Sequence, residues 1–339
     1  MSPLSTTLIA APALSGLLGT AGILVLRRLA PVLPSDVPNA RSLHRHAVPR
    51  AGGYAIWAGF IPAALWFPPS FPGGAWAWLP PWALLLAVSA QDDRSSIPIV
   101  TRLAAHASAA LWLAWSLAHL DGSVSIALPA WLTVFGAGAI VVWASNLYNF
   151  MDGNDGLAAT MGVIGFASMG FATRDTVSGP ALFALAAAIV PFLAVNRPPA
   201  SMFLGDVGAV PLGFLAAAFA LEGIVSSRWP AWFPLLVFLP FVADATFTLA
   251  RRALAGEPVW RAHRDHCYQR LNQLGAGHPG TLAAYSALMA GTSATALVCL
   301  SLAPEAGRWA LGGWSAVVLM LFAAIDYHWR KNDKTAPIR

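Results

Sequence analysis

Eleven apolar stretches separated by short loops run through the sequence, at 5–26, 51–68, 78–91, 98–119, 125–146, 157–173, 179–195, 208–226, 230–250, 280–302 and 308–327. About 20 mostly apolar residues are enough for a helix to cross the hydrocarbon core of a bilayer. In lipid only helices and closed barrels satisfy their own backbone polar groups. The expected fold is therefore all-α: one polytopic membrane domain over residues 1–339 with about eleven transmembrane helices, the third stretch being the shortest. Composition excludes a soluble globular protein, because only 10% of the residues are charged and 57% are hydrophobic, against about a quarter charged in soluble domains.

The first stretch follows only MSPL and has no basic segment ahead of it, which reads as an uncleaved span rather than a signal peptide. Assigning the loops alternately puts seventeen Lys and Arg on one side and three, Arg174, Arg228 and Arg308, on the other. Basic loops stay cytoplasmic. The N-terminus is thus expected outside and the C-terminus in the cytoplasm. The net charge of +5 sits in loops next to the membrane, where lipid headgroups and phosphorylated ligands are the nearer partners. No nucleic-acid partner is expected. Cys267 and Cys299 fall in a loop and a span, too far apart on this topology for a disulfide and without metal-ligand spacing.

The acidic residues gather at the cytoplasmic ends. In AVSAQDDRSSIPIV, Asp92 and Asp93 end the third stretch, where adjacent carboxylates oppose the helix dipole by about 0.3–1 kcal/mol each. A bound cation would relieve that cost. Ser95, Ser96 and Pro98 then read as a cap and first-turn proline of the next helix. In NLYNFMDGNDGLAA, Asn146, Asn149 and Asp152 recur at one-turn spacing before Gly153, Asp155 and Gly156. Such oxygen donors suit Mg²⁺ or Mn²⁺ better than zinc. The same segment is no EF-hand, since glycine stands at its third position and the bidentate Glu is missing. In NRPPASMFLGDVGA, Gly205, Asp206 and Gly208 open a helix whose free N–H groups would favour a phosphate.

Two basic loops complete the pattern. RAHRDHCYQRL places His263, His266 and Arg270 at spacings of three and four, on one face if helical. Arg261 and Arg264 crowd the histidines, which favours a diphosphate over a cation. RSLHRHAVPRAGG offers Arg41, His44, His46 and Arg50. Acids that hold a metal and bases that hold phosphate oxygens, on one membrane face, describe a Mg²⁺-dependent phosphoryl-transfer site. Asp244, inside an apolar stretch, is a functional candidate or the partner of Arg251 or Arg252, while His106 reads as a packing residue.

DDRSSIP, NLYNFMDGNDGLA, FLGDVGA and HRDHCYQRL, in this order and on these loops, resemble the polyprenyl-phosphate N-acetylhexosamine-1-phosphate transferases of glycosyltransferase family 4. The similarity runs from about Arg41 to Asn272. It is strongest to the branch that initiates O-antigen or enterobacterial common antigen synthesis. Ala209 and Asn154 depart from the family's usual residues without removing a charge.

The resemblance implies transfer of an N-acetylhexosamine 1-phosphate from a UDP-sugar donor to an undecaprenyl phosphate acceptor, releasing UMP. It implies Mg²⁺, with Mn²⁺ as a substitute, held by Asn149 and Asp206. Asp92 and Asp93 would then stand near the lipid phosphate, with Asp152, His263 and His266 as further catalytic candidates. Phe203 would stack on uracil, Asp155 and Asn196 would contact uridine, and Arg270, Arg50 and His44 would hold phosphates or sugar. A nucleotide-sugar or metal transporter is the competing class. Transport sites, however, lie near the membrane midplane, and these acids lie at the cytoplasmic ends.

Overall fold

The structure is a computed structural model that describes residues 3–36, 47–68, 74–119, 129–258 and 263–333. Arg41, His44, His46, Arg261 and Lys334 lie outside the described residues. The architecture is all-α. Its helices are α1 (Pro3–Leu29), α2 (Gly52–Trp66), α3 (Ala75–Arg94), α4 (Ile99–Ala118), α5 (Ala130–Phe150), α6 (Leu157–Ala172), α7 (Ser178–Asn196) and α8 (Asp206–Val225). After them come α9 (Trp232–Val237), α10 (Leu239–Leu254), α11 (Cys267–Leu271), α12 (Gly277–Leu302) and α13 (Gly307–Asp333). Six candidate spans among the described residues are long and apolar enough to cross a membrane. This is a multi-pass membrane protein.

Most of these helices are hydrophobic on every side, as buried or lipid-facing helices are, and α10, which carries Asp244, Arg251 and Arg252, is the amphipathic exception. Burial sorts them. The apolar window of α8 is 83% buried, against 22% for the span containing α1 and 17% for the one containing α13. Helix α8 is therefore the central post. It packs on α2, α3, α4, α5 and α6, while α1 packs outside on α2 and α7. Prolines inside α1, α2, α3, α7 and α8 are tolerated because neighbouring helices meet the freed carbonyls.

Three features differ from the sequence expectation. The stretch at 230–250 is split at Phe238 into α9 and α10, where Pro240 near the start of α10 has no N–H to continue the ladder. No serine caps α4. Its N-cap position is Pro98, and the Ile97 N–H instead meets Asp92 Oδ1 at 2.7 Å. A small extended element is also present: β1 (Ser35–Asp36) pairs antiparallel with β2 (Val48–Pro49), and Arg50 bridges to Phe203.

The starts of α2 and α8 touch backbone to backbone. A Cβ on Gly53 would lie 2.5 Å from the Gly208 nitrogen and 2.6 Å from its Cα. The Trp57 indole N–H adds a 2.7 Å bond to the Val207 carbonyl. Only glycine at both positions allows this approach.

Candidate functional site

A cavity of about 340 Å³ opens where α3, α4, α5, α8 and the segment before α11 meet. Asp92, Asn149, Asp206, His263 and His266 all line it, together with Asn146, Phe150 and Gln269. Its remaining wall is apolar, built from Val88, Ile99, Leu103 and Val210. Residues from four separate motifs thus share one space.

Arg102 and His106 line the same cavity. Arg102 pairs with Asp92 at 2.6 Å and reaches Asp206 at 3.8 Å, so one guanidinium serves two carboxylates. Sequence reading treated Arg102 only as a topology marker, although it stands just inside the helix that follows the Asp pair. His106 is not mere packing. Its Nδ1 lies 3.0 Å from the Asn146 amide nitrogen, which also donates to the Val142 carbonyl at 2.7 Å.

Asp93 has a different task from Asp92. Its carboxylate accepts the Asp206 N–H at 3.0 Å and the Val207 N–H at 2.8 Å, capping α8 from another helix. The next two N–H groups, of Gly208 and Ala209, bond to the Gly205 carbonyl. The expectation of free N–H groups for a phosphate is thus corrected, because Asp93 occupies them. Gly205 makes room for it: φ is +75°, and a Cβ would meet Asp93 Oδ2 at 2.7 Å.

The Asp152 carboxyl stands in the turn after α5 and is held well above the usual carboxylate range. Burial is the main cause, the charges of Asp206, Asp93 and Asp155 add to it, and Arg50 opposes it. Arg50 also acts electrostatically on Asp93 and Asp206, and its head is 3.7 Å from Asp36. Phe203 beside it is half-buried, with its backbone clamped. The Phe203 N–H donates to Pro49 O at 2.9 Å, and its carbonyl accepts from Ala51 and Gly52.

Asp155 and Asn196 are engaged within the fold. Asp155 Oδ2 accepts the Ala200 N–H at 2.9 Å, and Oδ1 lies 3.2 Å from His278. The buried Asn196 amide joins Gly156 N at 3.0 Å to Met202 O at 2.9 Å. Together they tie the loop after α5 to the loop before α8. Arg270 binds Asp326 and lies 3.3 Å from Asp265, which places its charge in an internal network outside the cavity.

His263 and His266 do not share a helical face, since α11 begins only at Cys267. Their rings stack instead, with centroids 5.0 Å apart. His263 is pushed down to about 4 from its ordinary 6.5 by burial, then by His266 and Arg252, with Asp265 opposing. The folded chain therefore takes up this proton less readily than the unfolded one. Stability from this group is complete above about 6.5 and is lost as pH falls toward about 4. The melting midpoint of His263→Gln should accordingly change less between about pH 7 and about pH 5 than that of the unchanged chain. Parallel shifts would show that His263 does not carry this dependence.

Among the described residues no three His, Cys, Asp or Glu side chains converge into a metal centre by themselves. The donors nevertheless fit a hard divalent ion. Asp92, Asp93, Asp152 and Asp206 are electrostatic neighbours, with Arg102 and Arg50 as the opposing charges. Mg²⁺ usually keeps waters and takes one or two carboxylates plus substrate phosphates, which this cavity can provide. Both cysteines are free and buried.

The glycosyl transferase family 4 profile matches residues 75–224. The chain is 25% identical over 266 residues to the "Probable undecaprenyl-phosphate N-acetylglucosaminyl 1-phosphate transferase" of Bacillus subtilis, covering 72% of this chain and 71% of that protein. It is 28% identical over 302 residues to the decaprenyl-phosphate N-acetylglucosaminephosphotransferase of Mycobacterium leprae, covering 77% and 74%. With the undecaprenyl-phosphate alpha-N-acetylglucosaminyl 1-phosphate transferase of Yersinia pestis it shares 27% identity, covering 71% and 70%.

Proposed function

The chain belongs to glycosyl transferase family 4, among the polyprenyl-phosphate sugar-1-phosphate transferases of cell-envelope glycan synthesis, and from that premise we propose its reaction. An N-acetylhexosamine 1-phosphate passes from a UDP-sugar to undecaprenyl phosphate at the cytoplasmic face of the bacterial inner membrane. UMP leaves, and the lipid diphosphate sugar initiates an O-antigen type of polysaccharide. The observation that carries this reading is the cavity itself, lined by carboxylates, amides, a guanidinium and imidazoles together with apolar residues. A phosphate with a prenyl tail needs both.

Asn149 and Asp206, with Asp92 beside Asp206, would hold Mg²⁺ or Mn²⁺, which when bound neutralises charge on the diphosphate. Arg102 is placed to meet the phosphate that enters beside Asp92. A phosphate monoester has a second pKa of about 6 and is largely dianionic at neutral pH. Asp92 therefore has only to orient the acceptor. Uncharged His263, with His266 stacked on it, can donate or accept hydrogen bonds to sugar or phosphate. Asp152 is the buried carboxyl neighbour of Asp206. Membranes supplied with undecaprenyl phosphate, Mg²⁺ and a panel of UDP-N-acetylhexosamines should release UMP. No release from any donor would sink the reading.

Eleven crossings account for the helix order if α9 and α10 form one broken crossing and α11 leads into α12. Exposed Trp66, Trp76, Trp115, Trp131 and Trp309 then all fall at periplasmic helix ends, as an interfacial belt does. A reporter that fluoresces only in the cytoplasm should light up when fused after Arg339, and a phosphatase fused there should be silent. The opposite pair of signals would invert the arrangement.

Phe203, held beside Arg50, is the proposed uracil platform. Base stacking on an aromatic face is worth about 1–3 kcal/mol, so Phe203→Leu should raise the donor KM roughly 5- to 150-fold. The lipid KM should stay unchanged. An unaltered donor KM, with only protein yield lowered, would make Phe203 an interface anchor.

A further inference from the structure

Asp244 on α10 is completely buried, and the reaction as described gives it no part. It does not pair with Arg251 or Arg252. Arg251 binds Asp326, and Arg252 binds Asp265 and Glu257. Instead Asp244 Oδ1 accepts the Cys267 N–H at 2.8 Å and the Thr248 hydroxyl at 3.1 Å. Oδ2 accepts the Tyr268 N–H at 2.9 Å and the Tyr285 hydroxyl from α12. His266 Nδ1 stands 3.4 Å from Oδ1.

Two consecutive N–H groups in the first turn of α11 are therefore capped by a carboxylate on a different helix. Buried donors left unpaired are costly, so α11 stays on this anchor. The residue directly ahead of the capped pair is His266, which lines the cavity and stacks on His263. Asp244 thus fixes the backbone directly behind the His266 ring, and with it where that ring stands against His263.

We propose that Asp244 is a positioning residue for the transfer reaction: by capping α11 from α10, directly behind His266, it sets the place of the histidine pair in the cavity. Asp244 acts through His266 and does not touch substrate. The proposal rests on the cavity being the transfer site.

A double-mutant cycle on the purified full-length chain separates this role from general stabilisation. Misplacing a substrate-contacting group by about 1 Å can cost 10²-fold. Asp244→Asn should therefore lower kcat roughly 10- to 100-fold. In a His266→Ala background the same change should cost less than about 3-fold, because coupled residues are not additive. Tyr285→Phe, which removes one hydroxyl and preserves the packing, should show a smaller loss with the same suppression. It carries the cycle if Asp244→Asn fails to fold. Equal losses in both backgrounds would overturn the proposal. Nitrogen NMR shifts of the His266 ring provide a readout independent of turnover. They should change in Asp244→Asn, and by a smaller amount the same way in Tyr285→Phe, as the ring leaves its stack on His263. Unchanged ring shifts overturn the positioning role, whereas absence of UMP release from the unchanged chain overturns only the assigned reaction.

Discussion

Asp206→Asn is expected to lower turnover by at least about two orders of magnitude, the scale on which a single electrostatic group at a reacting centre is felt. Asp206 starts α8, lines the cavity and shares Arg102 with Asp92. Asparagine keeps the shape and one oxygen but removes the charge that would hold the metal between diphosphate oxygens. The N–H cap from Asp93 involves only the backbone of residue 206, so the variant should insert, purify and melt like the unchanged chain. Near-normal turnover at ordinary Mg²⁺ would remove Asp206 from the metal site.

The second large effect belongs to Asp93→Ala, and it is an effect on stability as well as rate. Two N–H groups at the start of the most buried helix lose their acceptor. At about 1–3 kcal/mol for each unpaired buried donor, the loss is about 2–6 kcal/mol, a large share of the ~5–15 kcal/mol that holds a typical domain. The melting midpoint should fall by many degrees and turnover with it. Asp92→Ala should instead lose turnover with little change in melting, since its partners, the Arg102 guanidinium and the Ile97 N–H, are both partly exposed and can turn to water. If both variants melt alike, the division of labour within the Asp pair is wrong.

The apolar stretches were legible because bilayer thickness sets their length. The boundaries shifted only modestly: the short third stretch at 78–91 became α3 from Ala75 to Arg94. The loops that carry the site were legible too, since the acids and bases stand at helix ends. What each carboxylate does was not. Asp93 meets backbone 113 and 114 residues later, and Asp244 meets backbone 23 and 24 residues later across a loop. No local spacing encodes either cap. The split between α9 and α10 could have been read from Pro234 and Pro240. The pairing of β1 with β2 could not, because two-residue strands leave no alternation to detect.

Two helices that meet at Gly53 and Gly208 without a side chain between them have no compressible layer at their junction. Most helix pairs absorb a small push by a rotamer change, but here the push passes directly from one peptide to the next. The segment that bears Arg50 and bonds to Phe203 feeds straight into α2, and Asp206 stands two residues before Gly208. Arg50 and Phe203 are therefore held at a fixed distance from Asp206. The stiffness of the junction rests on two hydrogen atoms where other residues carry a carbon.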